Sequence, residues 1–118
     1  MPTCSIVIAH FGFPYFLETA NIVSKNANVY TEISGTIDAV GDPDRLRLLV
    51  SQYVQDLDRA FAYFPNVRRK TMFGTDYAGE HTGLNQVDPY IDVVDRVFAP
   101  EERAHVTTEL AQRLLLSV

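Results

Sequence analysis

A single cysteine, Cys4, stands in the 118 residues, so no internal disulfide can form. That usage fits a reducing compartment, and a cytoplasmic location is expected. Cys4 sits beside an apolar run, which predicts burial rather than nucleophilic chemistry. The N-terminus lacks the basic stretch and long apolar stretch of a secretory signal. No apolar run approaches the ~20 residues that span a bilayer, so no membrane partner is expected. Positive charge is scarce too. Ten Lys and Arg stand against fifteen Asp and Glu, a formal net charge of -5. That is the wrong sign for neutralising phosphates, so nucleic acid is not an expected partner. The one dense basic cluster, Arg68-Arg69-Lys70, precedes an apolar run and reads as a solvated lead-in to a strand.

Several chemical signatures are also missing. There is no His-x-His pair, Cys-x-x-Cys pair, His-Glu-x-x-His helix or P-loop, and Gly12 and Gly35 make no dinucleotide fingerprint. No internal repeat, low-complexity tract or linker interrupts the chain. What is present is a composition 47% hydrophobic, 11% aromatic and 21% charged. That is ordinary for one globular domain with a real core.

Strand-like and helix-like segments alternate. Ser5 to His10 is a continuous apolar run with β-branched residues, which suits a strand buried on both faces. It stops at Phe11-Gly12-Phe13-Pro14. Tyr15 to Lys25 follows as a helix with Phe16, Ala20 and Val23 on one face. Val29 to Ser34 is a second strand, closed by Gly35. The strongest helix signal comes next: Asp42 can cap the free N–H groups and Pro43 suits the first turn. Leu46, Leu49, Val50, Tyr53, Val54, Leu57, Phe61 and Phe64 then recur at helical spacing, until Pro65 and Asn66 end the run. Lys70 to Thr75 is a third strand, leading into Asp76, and a polar loop covers Tyr77 to Val87. Asp88-Pro89 opens a short helix with Ile91, Val94, Val97 and Phe98 inside. Pro100 and two acidic residues open the last, with Val106, Leu110 and Leu114 as its buried stripe. Such alternation implies an α/β fold with parallel strands and helical crossovers. A (β/α) barrel segment and a small open doubly wound sheet both satisfy it.

In parallel α/β folds functional residues gather where strands end. Those positions hold His10, Ser34 and Asp76. A neutral imidazole binds a divalent metal or moves a proton near pH 7. A carboxylate ligates cations or accepts a proton, and Gly74 permits close backbone approach. Each has a plainer reading: His10 as a structural partner of a loop, Asp76 as a turn or helix cap. Glu32, inside the second strand, either pairs with a basic residue or lines the site, because a buried carboxylate needs a partner. Ser34 has no base beside it in sequence and is a poor nucleophile. His81 and His105 read as solvent-facing, with a place in an active-site loop open to His81.

The segments Ile6-Val7-Ile8-Ala9-His10-Phe11-Gly12, Asn28-Val29-Tyr30-Thr31-Glu32-Ile33-Ser34 and Phe73-Gly74-Thr75-Asp76-Tyr77, in this order, resemble the amidohydrolase-related family. These are metal-dependent TIM-barrel hydrolases and decarboxylases. The final helix, from Pro100 to Leu115, resembles the family's last. The resemblance implies that the three strands are strands six, seven and eight of a (β/α)8 barrel. It implies that His10 matches the histidine that binds or activates the metal-bound water. Asp76 would match the aspartate that binds the metal and helps deprotonate that water. It also implies a divalent metal, zinc above others, and a small-molecule substrate. Phe11, Tyr15 and Tyr77 would then contact that substrate from loops at the active-site face.

Two departures stand out. The family's His-x-His pair and its strand-five histidine have no counterpart here, and Glu109-Leu110-Ala111 replaces a common Asn-Ala pair. A whole barrel takes about 250 residues, so the expectation is a C-terminal portion, residues 1–118, of a longer domain. One His and one Asp are too few to close a zinc site. Open barrel edges would invite self-association. The alternative expectation is a small non-catalytic α/β module, or an inactive fragment, in which His10 and Asp76 serve structure.

Overall fold

In the computed structural model, residues 4–38, 41–74, 76 and 87–116 are described. Three short strands, β1 (Ile6–Ile8), β2 (Val29–Glu32) and β3 (Thr71–Met72), form a parallel sheet in the order β1-β2-β3. Four α-helices accompany them: α1 (Phe16–Lys25), α2 (Pro43–Tyr63), α3 (Asp88–Val97) and α4 (Leu110–Leu116). The α/β class and the order of elements match the sequence pattern. No helix among the described residues is long and apolar enough to cross a membrane.

The helices form for the reasons their sequences give. The Asp42 carboxylate accepts the Arg45 backbone N–H at 3.0 Å, and Pro43 opens α2 without wasting a donor. The α2 stripe buries Val50, Tyr53, Leu57 and Phe61 against α1 and α3. In α3 the buried set includes Tyr90 and Val93 as well as Val94 and Val97, so its apolar face is wider than the four residues read from sequence. The last segment begins as a tight 3-10 turn at Pro100–Glu102, passes through a π turn at His105–Glu109, then continues as α4.

The strands depart most from expectation. β1 covers half of the segment read as strand, because the chain coils into a 3-10 turn at Ala9–Gly12. It is not buried on both faces: Ile6 is 48% exposed and Val7 45%. The reason is position, since among the described residues β1 is the edge of the sheet and pairs only with β2. Cys4, just before it, is exposed rather than buried for the same reason. β2 buries Val29 and Thr31 and leaves Tyr30 and Glu32 half-buried, the alternation of a strand with one face on the core. β3 keeps two residues because Pro65–Lys70 form a second 3-10 turn.

That turn also corrects the reading of the basic cluster as a solvated lead-in. The Arg68 guanidinium lies 5.2 Å from the ring centres of both Phe61 and Phe98 and donates to Glu102 at 2.6 Å. Lys70 donates to the carbonyls of Val23 and Asn26 at 2.8 and 2.6 Å, satisfying acceptors at the end of α1.

Candidate functional site

The site is assembled where β1, β2 and the segment after β3 end. After Ile8 the backbone turns left-handed at His10 (φ 59°) and Phe11 (φ 49°), conformations that cost a non-glycine residue about 1 kcal/mol or more each. The turn sends consecutive side chains to different places. Phe11 is fully buried, with ring centres 6.1 Å from Phe16 and 5.8 Å from Phe61. The His10 side chain stays 39% exposed at the strand ends. Phe11 is therefore a core residue with no surface for a substrate, contrary to the sequence expectation.

Four contacts fix His10. Its backbone N–H donates to Glu32 Oε1 at 2.6 Å, and the Ser34 N–H donates to Glu32 Oε2 at 2.8 Å. The His10 ring Nδ1 lies 2.9 Å from the Ser34 carbonyl oxygen and 3.3 Å from Ser34 Oγ. Glu32 Oε1 is 3.5 Å from the same nitrogen. A carbonyl oxygen only accepts, so Nδ1 carries a proton, and a neutral His10 keeps its lone pair on Nε2. That nitrogen faces Asp76 Oδ2 at 3.9 Å. Asp76 has a left-handed backbone as well (φ 50°), and its side chain is 38% exposed.

Two glycines make room. A Cβ built on Gly35 would overlap the His10 imidazole, and one on Gly74 would overlap the Glu32 carboxylate. Gly35 also takes a left-handed φ of 75°. Two tyrosine hydroxyls hold the loop behind them. Tyr53 donates to the Ile33 carbonyl at 2.9 Å, and Tyr90 accepts the Ile37 N–H at 3.0 Å. Burial pushes both phenols up, so both remain neutral.

Placed against the sequence reading, His10 and Asp76 meet, and Ser34 joins them through its carbonyl rather than its hydroxyl. Glu32, expected either to pair with a basic residue or to line the site, bonds two backbone amides and lies 3.5 Å from the His10 imidazole. Tyr15 is 65% exposed at the start of α1. Tyr77 and His81 lie outside the described residues. His105 is half-buried, with Nε2 2.7 Å from the Arg69 carbonyl, a structural contact. Sequence reasoning missed Tyr53 and Tyr90. Their signal was a hydroxyl inside an apolar stripe, which needs a partner when buried.

The donor set matches part of a metal site. Two ligands at about 2.1 Å from a tetrahedral ion lie about 3.4 Å apart, so the His10–Asp76 pair would close by roughly half an ångström to share one. The free lone pair on Nε2 and the engaged Nδ1 are the arrangement a ligating histidine takes. Among the described residues, no group of three or more His, Cys, Asp or Glu side chains is placed to hold an ion. His10 and Asp76 by themselves are too few to close a zinc site. Comparison of the chain with protein-family models, with curated proteins and with solved structures finds no match in any of the three.

Proposed function

We propose that this chain is the C-terminal portion, strands six to eight, of an amidohydrolase-related (β/α)8 barrel. On this reading the parent enzyme is a cytoplasmic, metal-dependent hydrolase or decarboxylase of a small molecule. The observation that carries the proposal is the approach of His10 Nε2 to Asp76 Oδ2, 3.9 Å, from two different strand ends of one parallel sheet. Strand ends are where such folds place chemistry. A second observation supports the barrel. Parallel sheets ordinarily have both faces covered, yet Val7, which pairs with Tyr30, is 45% exposed and Tyr30 and Glu32 are half-buried. That face would line a barrel interior.

In this reading His10 Nε2 and Asp76 Oδ2 hold a divalent metal, zinc by the resemblance. When bound, the ion supplies Lewis-acid polarisation of substrate and water. Asp76 also accepts a proton, and the fixed Nδ1–H of His10 keeps Nε2 ready as ligand or base. Tyr15 and Tyr77 are proposed to contact the substrate. Phe11 is left out because it is buried.

The coding sequence upstream of this segment tests the proposal first: it should encode an apolar strand followed by His-x-His. In the protein that carries both parts, chelation should abolish turnover, and Asp76→Asn should lower it by about 10²-fold or more. An upstream sequence without that pair, or turnover indifferent to chelator and to Asp76→Asn, would overturn it. The plainer α/β module would then stand.

A further inference from the structure

Glu32 is half-buried, its side chain 17% exposed, on the strand between the two that end at the site. Its only ion-pair partner among the described residues is His10. A carboxylate so placed ordinarily seeks Lys or Arg. Glu32 instead spends one oxygen on the His10 N–H and the other on the Ser34 N–H, at 2.6 and 2.8 Å. Those two residues are themselves joined by the Nδ1–H to carbonyl bond at 2.9 Å. The bonds form a closed ring: the Glu32 carboxylate, the His10 amide and imidazole, and the Ser34 carbonyl and amide. Gly74 leaves the space the carboxylate occupies, and Gly35 the space the imidazole occupies.

We infer that Glu32 is a positioning residue, a carboxylate clamp that holds the left-handed His10 turn against the end of β2 and thereby fixes the His10 tautomer. It acts through His10 and touches no reacting atom. Glutamate is required because both of its oxygens accept. A glutamine would set an NH₂ against one backbone N–H, donor against donor, and leave one amide without a partner. With the turn released, the Ser34 carbonyl no longer selects Nδ1–H, and the lone pair is no longer confined to Nε2. The clamp is a property of the chain without metal. Its service to chemistry rests on the function proposed above.

The test is nuclear magnetic resonance on the metal-free protein at about pH 8, where an ordinary imidazole is neutral. In the native chain, couplings across hydrogen bonds should connect the His10 and Ser34 amide nitrogens to the Glu32 carboxyl carbon. The long-range ¹⁵N spectrum of His10 should show a protonated Nδ1 and a lone-pair Nε2. Glu32→Gln should lose one or both couplings and shift the ring toward a mixture of tautomers. Gly74→Ala, which keeps the carboxylate but crowds it, should do the same. A protonated Nε2 in the native chain, missing couplings, or an unchanged tautomer in a folded Glu32→Gln protein would each overturn the clamp. The native-chain spectra decide the matter even if both variants fail to fold. Zinc added to the protein that also carries the upstream part separates the two ideas: an intact clamp with His10 unmoved by zinc there removes the functional reading and leaves the clamp standing.

Discussion

At the scale of single residues, the approach of His10 to Asp76 was legible because both follow apolar runs read as parallel strands, whose ends lie side by side. Their surroundings were not. Nothing in the spacing of Glu32 tells that two backbone amides, 22 and 2 positions away, will turn toward it. The fate of Phe11 was hidden for a related reason. It sits one residue past His10 in a loop-like stretch, and only the left-handed backbone at both residues swings its ring into the aromatic core. Gly35 looked like a strand terminator, yet its lack of a side chain is what admits the imidazole. Gly35→Ala should therefore displace His10 as well as strain the backbone, at a cost of about 1–3 kcal/mol. Denaturant unfolding measures the cost and the His10 ring ¹⁵N shifts report the displacement. Unchanged shifts in the variant would mean that the imidazole does not rest on Gly35.

At the scale of elements, α2 was readable almost to the residue, because a cap, a first-turn proline and about six turns of stripe agree with one another. The strands were not. Strand length is set by where a partner stops pairing, and the 3-10 turns that shorten β1 and β3 are chosen by packing rather than by propensity. The basic cluster was misread on similar grounds. Arg68 and Lys70 look solvated in sequence, but one packs over the rings of Phe61 and Phe98 and the other donates to carbonyls at the end of α1. The Arg68–Glu102 pair carries a pH signature. The Arg68 hydrogen bond holds the Glu102 carboxyl below the ordinary glutamate range. Its stabilisation is thus complete above the unfolded value, about 4.3, and is lost as pH falls through the lowered folded value. Glu102→Gln should cost about 1–2 kcal/mol near neutral pH, discounted for partial exposure, and almost nothing in strong acid. Urea unfolding at a series of pH values measures this. A deficit that stays constant into acid would show that the charge contributes nothing.

At the scale of the whole molecule, the alternation of strands and helices gave the α/β class, but composition is silent on whether the sheet closes. The structure has an edge strand with Ile6 and Val7 about half exposed, one on each face. An unpaired apolar edge is a template for another strand. The apparent mass in light scattering should therefore rise with protein concentration. Val7→Lys, a charge on the edge, should reduce that rise. A native chain that stays monomeric at every concentration would contradict the expected self-association.

His10 and Asp76 are proposed to act on one ion, and calorimetric titration of zinc into the protein that carries this segment together with its upstream part tests this most directly. The predicted result is one ion per chain, with binding abolished by His10→Ala and weakened about tenfold or more by Asp76→Asn. Absence of binding by that longer protein, or identical binding by it and both variants, would contradict the proposal.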